Sequence, residues 1–236
     1  MAVVIKNLIL EDGFCLLEVE HKNEARMGQF YMLRAWGQEP ILSRPISILD
    51  ADEGSIKFLY RIIGKGTKIL GSLEAGQEVT LEGPYGNGFP SGLKGRIALV
   101  GGGAGIAPLY LAAKSYKSSP MCKQVDVYLG FSNKEILTDE FRAIADKVQV
   151  NVGGYVTDYI DPLDYDVILT CGPEIMMRTL HKKCKTSGTP LYVSMEKHMA
   201  CGLGLCKVCT CQTSSGRRTI CKDGPIFLGS EVFDVE

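Results

Sequence analysis

The sequence of 236 residues is long enough for one large domain or two smaller ones, each with its own core. Its 45% hydrophobic and 22% charged residues are ordinary for a soluble globular protein. A net charge of −1 leaves no electrostatic footprint for nucleic acid or an anionic membrane surface.

The opening run, MAVVIKNLILEDGF, is broken by Lys6 and Asn7 and is too short for a signal peptide. No stretch approaches the roughly 20 apolar residues of a membrane-spanning helix, so a cytoplasmic protein with no membrane partner is expected. The first ninety residues read as strands joined by turns. SIKFLYRI places Ile56, Phe58, Tyr60 and Ile62 on one face, the period of a half-buried strand. QEVTLEGPYGNGFP is a strand entering a turn cluster. No long helical period precedes residue 100, and a small antiparallel barrel or sandwich fits best.

The pattern then changes. GRIALVGGGAGIAPLYLAAKSY is an apolar strand, a glycine loop and a helix. QVDVYLGF is a second strand, and TDEFRAIADKVQVNV is a helix N-capped by Thr138 and followed by a strand. DYDVILTCGPEIMMRTLHKKCKTSG is a strand and a helix, with Pro173 near the first turn and Gly188 as the stop. PLYVSM closes the series as its last strand. Alternating strands and helices predict a parallel sheet covered on both faces. The expected architecture is therefore multi-domain, β plus α/β: an antiparallel β-domain at 1–92, an α/β domain at 93–194 and a cysteine-bearing module at 195–236.

Five of the nine cysteines lie between Cys201 and Cys221. Cys201, Cys206, Cys209 and Cys221 are spaced C-x4-C-x2-C-x11-C, and the first three match the plant-type spacing for a 2Fe–2S cluster. Gly202 and Gly204 allow the loop to turn its N–H groups toward the sulfurs. A zinc site usually shows two C-x2-C knuckles, and here there is one. A dithiol would leave the other cysteines unexplained. Cys211 is expected to point away as a non-ligand. Cys15, Cys122 and Cys184 read as small buried or half-buried thiols.

Other motifs suit nucleotides. GGGAGIAP follows a strand and opens a helix, where a pyrophosphate can approach the backbone. Cys171 and Gly172 end a parallel strand, the edge at which ligands bind in open α/β sheets. In the β-domain, Arg44 can pair with a phosphate, and Ser47 can hydrogen-bond a ring nitrogen. YRIIGKGT adds Arg61, two glycines and Thr67.

The order R-P-I-S, G-x-G-T, G-P-Y-G-x-G-F, G-G-G-x-G-I-A-P, C-G-P and a ferredoxin-like C-terminus resembles the ferredoxin–NADP reductase superfamily. Within it the chain is most similar to the electron-transfer subunits of NAD-dependent, two-subunit dihydroorotate dehydrogenases, over nearly its whole length. MACGLGLCKVC followed by CKDGPIF carries the most specific part. Ile46 stands where the wider superfamily has an aromatic, and the usual C-terminal aromatic is absent.

The resemblance implies an FAD-binding β-barrel, an NAD-binding domain and a 2Fe–2S module. It implies that FAD is bound by Arg44, Pro45, Ile46 and Ser47, by Tyr60, Arg61 and Ile62, and by Gly66 and Thr67. Gly101, Gly102, Gly103, Gly105, Ile106 and Pro108, with Cys171, Gly172 and Pro173, match the nicotinamide nucleotide site. Cys201, Cys206, Cys209 and Cys221 match the cluster ligands. It also implies an oxidoreductase of pyrimidine biosynthesis that works with an FMN-containing catalytic subunit, as a heterotetramer with two copies of each. Electrons would pass from that subunit through the cluster and FAD to NAD. No general base stands out, since His21, His181 and His198 lie outside every nucleotide motif. The alternatives are a reductase subunit serving a hydrogenase or a ferredoxin, and an iron–sulfur redox sensor without turnover. In GFSNKEIL, Lys134 beside Glu135 makes a weak clamp for a 2′-phosphate, which favours NAD over NADP.

Overall fold

The computed structural model describes residues 1–235; Glu236, the end of the 195–236 segment, lies outside the described residues. Strands β1 (Ala2–Ile9), β2 (Phe14–Glu20), β3 (Phe30–Arg34), β4 (Arg44–Ala51), β5 (Ser55–Arg61) and β6 (Glu78–Tyr85) form a closed antiparallel barrel in the order β1-β2-β5-β4-β3-β6. Cross-strand partners on β2 and β5 fill its interior: Cys15 faces Tyr60, Leu17 faces Phe58 and Val19 faces Ile56, all at most 3% exposed. Each large apolar side chain so buried contributes about 1.5–3 kcal/mol. A one-residue slip would turn Glu18 and Glu20 inward, so the register is fixed. Ile62 falls just beyond the strand, where it packs under the short helix α1 (Lys65–Gly71).

The second half is a six-stranded sheet. β7 (Gly95–Gly102), β8 (Cys122–Phe131), β9 (Lys147–Val152), β10 (Val167–Cys171) and β11 (Leu191–Ser194) are parallel. Ile97, Ala98, Leu99 and Val100 of β7 are all fully buried, as expected of a strand covered on both faces. Helix α2 (Ala107–Lys117) follows β7 and packs against β4 of the barrel, with Lys114 Nζ 2.8 Å from Asp50 Oδ1. Helix α3 is shorter than the sequence predicts, covering Thr138–Arg142. Its cap is Leu137 in a left-handed conformation (φ 55°) rather than Thr138, whose hydroxyl turns back to Glu135 at 3.3 Å. Helix α4 (Glu174–Ser187) stops at Gly188 with φ 77°, a left-handed residue that glycine adopts without steric cost.

The sheet does not end at β11. A hairpin of β12 (Thr210–Thr213) and β13 (Gly216–Thr219) leads through α5 (Ile220–Asp223) to β14 (Ile226–Leu228). β14 adds to the sheet edge antiparallel to β11, pairing Val193 with Phe227. The last helix, α6 (Gly229–Phe233), lies on α4, where His181 Nε2 is 2.9 Å from Asp234 Oδ1. Three residues carry no readable period, which is why β14 escapes a sequence reading. Its consequence is that Cys209, Cys211 and Cys221 share one apolar core with Val193 and Phe227 of the sheet and with Phe30 and Met32 of the barrel. No helix among the described residues is long and apolar enough to cross a membrane.

Candidate functional site

Three groups of residues meet around the junction of barrel, sheet and C-terminal module. The first lies at the mouth of the barrel. Arg44 opens β4, and Pro45, Ile46 and Ser47 follow it opposite Met32, Tyr31 and Phe30 of β3. The Arg44 guanidinium lies over Gly66: a Cβ there would be 2.7 Å from Arg44 Nε and 2.9 Å from Trp36 Cη2. Arg44 and Trp36 thus pack directly on Gly66, and any side chain there would displace them. Thr67 is buried and serves its own turn, accepting from Ile63 N and Gly64 N at 3.0 and 3.1 Å. Arg44, Trp36 and Gly66 therefore form one packed wall braced by the Thr67 turn, and the Arg44 guanidinium is the group there that can pair with a phosphate.

Tyr60 and Arg61 do not present their side chains to that wall. The Tyr60 ring points into the barrel opposite Cys15, with its hydroxyl buried and unpartnered. Arg61 is on the outer surface, 3.0 Å from Asp12 Oδ2 and over the Phe14 ring. Their backbone, at the end of β5, leads into the G-x-G-T turn.

The second group is the meeting of two loops at the carboxyl edge of the sheet. Gly101 and Cys171 are register partners on β7 and β10. A Cβ on Gly105 would lie 2.5 Å from Gly172 N, and one on Gly172 would lie 2.9 Å from Gly102 N. A Cβ on Gly102 would strike Pro173 Cδ at 2.8 Å. Ile106 and Pro108 are buried behind the loop. So most of these glycines serve contact between the two loops. Gly103 differs: its φ is +55° and nothing lies within 4 Å of a built Cβ. It marks an open mouth in the loop.

Cys171 is fully buried, and burial pushes its thiol well above the ordinary range. Its Sγ is 3.8 Å from Glu196 Oε1. Glu196 is a residue the sequence reading missed. It is exposed as a residue, yet its carboxyl end sits against the thiol and loses enough water there to have its own pKa raised. Only the curl of the chain after β11 brings it back to β10, so no local motif marks it.

Lys134 and Asn133 are tied to the turn between β1 and β2. Lys134 Nζ pairs with Glu11 Oε2 at 3.1 Å, and Asn133 Nδ2 donates to Asp12 Oδ1 at 3.0 Å.

The third group is the cysteine loop. Leu203 N and Cys206 N donate to Cys201 Sγ at 3.3 and 3.5 Å. Gly204 N donates to Cys221 Sγ at 3.1 Å and Cys221 N to Cys209 Sγ at 3.4 Å. The amides of Cys206 and Leu203 lower the Cys201 pKa to about 6. Cys209 and Cys221 are buried with their sulfurs 3.2 Å apart. Burial first, and the neighbouring thiol second, push Cys221 up to about 12. Two buried thiols so close cannot both ionise unless positive charge is supplied between them, which is what iron does.

Among the described residues, no three His, Cys, Asp or Glu side chains converge on a single-ion position. The amide-bonded Cys201 with the exposed Cys206, and the Cys209–Cys221 pair, suit a two-iron cluster better than one zinc ion. Cys211, across the hairpin from Arg218, is buried in the same core but takes no part in these amide–sulfur and sulfur–sulfur contacts.

The cysteine loop is fastened to the barrel. A Cβ on Gly202 would lie 3.0 Å from both Met32 Cγ and Tyr85 Cε2, and Met32 is the register partner of Pro45. Asn87 ties the two ends of GPYGNGF and KDGPIF together. Its side chain donates to Ile226 O (2.8 Å) and Asp223 O (3.2 Å) and accepts from Ile226 N (3.1 Å).

Residues 196–233 match the model of the iron–sulfur cluster binding domain of dihydroorotate dehydrogenase B. The whole chain is 48% identical to the dihydroorotate dehydrogenase B (NAD(+)) electron transfer subunit of Clostridium acetobutylicum, across 97% of this chain and 95% of that one. The chain belongs to this family. The Clostridium perfringens subunit of the same name is 41% identical over 97% of this chain and 96% of its own length. Among solved structures, a chain of an NADH-dependent reduced ferredoxin-NADP oxidoreductase, from work on flavin-based electron bifurcation, superposes with a TM-score of 0.89 at 31% identity. It covers 98% of this chain and 89% of that one.

Proposed function

We propose that this chain is the electron-transfer half of an NAD-dependent dihydroorotate dehydrogenase, an oxidoreductase of pyrimidine biosynthesis. In this reading it connects an FMN-bearing subunit that oxidises dihydroorotate with NAD. Bound to the chain, a 2Fe–2S cluster would exchange single electrons, FAD would convert between single electrons and pairs, and NAD would accept a hydride.

The observation that carries the reading is the seat of Gly202 on Met32 and Tyr85. It puts the cysteine loop one strand away from the R-P-I-S stretch, so the residues that would hold the cluster and those that would hold FAD stand on neighbouring parts of the chain. Each set of residues then has a task. Arg44 holds a phosphate and Ser47 a ring nitrogen of FAD. The mouth at Gly103, beside Cys171 to Pro173, admits the nicotinamide nucleotide. The four cysteines hold the cluster, and the amides of Leu203, Gly204, Cys206 and Cys221 stabilise negative charge on sulfur.

The division at 1–92, 93–194 and 195–236 follows these tasks, with β14 and α6 fastening the last part to the second. Exposed Leu203, Leu205 and Val208 surround exposed Cys206. An apolar rim around the outermost ligand suits docking of the catalytic subunit, in a heterotetramer with two copies of each chain in the cytoplasm. The test is co-expression followed by affinity purification. An FMN-containing, dihydroorotate-oxidising subunit recovered in equal amount supports the proposal; recovery of a hydrogenase or ferredoxin instead would replace it.

A further inference from the structure

We propose that Trp36 is the stacking platform for the adenine of FAD. The proposal rests on the reading that FAD binds at Arg44 and Ser47. Trp36 is the sole tryptophan of the chain and stands, half-buried, in the loop between β3 and β4. The Arg44 Cζ lies 5.4 Å from its ring centroid. The ring edge and Arg44 both close on Gly66, at 2.9 Å and 2.7 Å from where a Cβ would be. Indole, guanidinium and the G-x-G-T turn therefore meet at one point.

The strand register sets the order of the parts. On β4, Ser47 lies opposite Phe30, and Arg44 lies opposite Leu33. The step from Arg44 to Ser47 runs about 10 Å in one direction at the usual rise of a strand. Trp36 lies beyond Leu33 in the other direction. A dinucleotide with a flavin nitrogen at Ser47 and its phosphates at Arg44 has its second base on the Trp36 side.

The loop holds the ring ready. Trp36 Nε1 donates to Pro40 O. Arg34 donates to the carbonyls of Trp36 (3.0 Å), Ile41 (2.6 Å) and Gly37, so it is committed to the loop and is not available to phosphate. Glu39 ties the loop to α1 through Lys65 at 3.0 Å. Arg44, by contrast, holds one loop carbonyl, that of Leu42. It is the cation free to leave the indole for a phosphate and open a π-face. A pre-positioned aromatic loses little entropy when a base stacks on it.

The bland alternative is that Trp36 only anchors two arginines through cation–π contacts. The two differ in what they do to FMN, which has a phosphate and a flavin ring but no adenine. The full chain is stripped of flavin and titrated with FAD and with FMN. Trp36→Ala should weaken FAD by about 10-fold or more, the range of a lost base–aromatic stack, and FMN by less than about 2-fold. Trp36→Phe should restore most of the FAD affinity, while Arg44→Ala should weaken both flavins. With no other tryptophan present, ADP added to the stripped wild-type chain should quench the tryptophan emission, which adenine does not absorb. Equal losses for FAD and FMN, unchanged FAD affinity in Trp36→Ala, or an emission unmoved by ADP would overturn the proposal. Failure of the wild-type chain to bind either flavin would overturn the FAD reading beneath it.

Discussion

Gly105 packs directly on Cys171: a Cβ built on Gly105 would lie 2.5 Å from the Cys171 carbonyl carbon. The glycine-rich loop and the C-G-P turn are two halves of one joint. A glycine pattern that suggests phosphate binding is here set largely by backbone meeting backbone.

That joint gives a contrast between two neighbouring glycines. Gly105→Ala puts a methyl group into backbone that cannot step aside, so a loss of about 1–3 kcal/mol in stability is expected, together with loss of NADH-driven dye reduction. Gly103→Ala meets no atoms and costs only the left-handed backbone, about 1–2 kcal/mol. Thermal unfolding of the two variants, each with its KM for NADH, checks the account. The effect of Gly103→Ala should fall on KM more than on folding.

Asn87 joins the barrel's last loop to the chain just after Cys221 by three side-chain hydrogen bonds. At about 0.5–1.5 kcal/mol each, their loss in Asn87→Ala should loosen the cysteine module while leaving the barrel intact. The expected outcome is faster bleaching of the cluster absorbance in air, with flavin content unchanged. Equal loss of flavin and cluster would show that Asn87 supports the whole chain.

Cys206→Ser should abolish the 2Fe–2S signature in visible absorption and electron paramagnetic resonance, because a hydroxyl replaces a thiolate. Cys211→Ser should leave both spectra nearly intact, because Cys211 takes no part in the amide–sulfur and sulfur–sulfur contacts of Cys201, Cys206, Cys209 and Cys221. Loss of the cluster in Cys211→Ser would overturn the ligand assignment.

Nucleotide choice follows from Lys134. Its pairing with Glu11 adds a second carboxylate, beside Glu135, that competes for the one cation GFSNKEIL offers to a 2′-phosphate. NADH should therefore give the higher kcat/KM in diaphorase assays. Lys134→Ala should change the ratio for NADPH by less than about 2-fold. A preference for NADPH in the wild-type chain would contradict this.

These cases show which parts of the molecule can be read from sequence. The apolar period of SIKFLYRI and the strand–loop–helix series carry the barrel and the parallel sheet, because periodicity reports burial directly. The cysteine spacing and the loop amides are also local, and the sequence anticipates N–H groups aimed at sulfur. What escapes it depends on chain segments far apart. Asn87 meets Ile226 across 139 residues, Glu196 returns to Cys171, and Lys134 meets Glu11. Trp36 stands in a loop without period, and only the β3–β4 register gives it a place beside Arg44. Tyr60 lies in a motif that suggests ligand contact, and strand alternation turns its ring into the barrel, a direction that the motif alone does not give.

The central claim is that electrons pass through the cysteine module on their way between dihydroorotate and NAD. The direct measurement is the absorbance at 340 nm when dihydroorotate and NAD are mixed anaerobically with the complex of this chain and its FMN-bearing partner. The wild-type complex should form NADH. The Cys206→Ser complex should form almost none, while still oxidising dihydroorotate with an artificial acceptor and NADH with a dye. NADH formation at the wild-type rate by the Cys206→Ser complex would contradict the account.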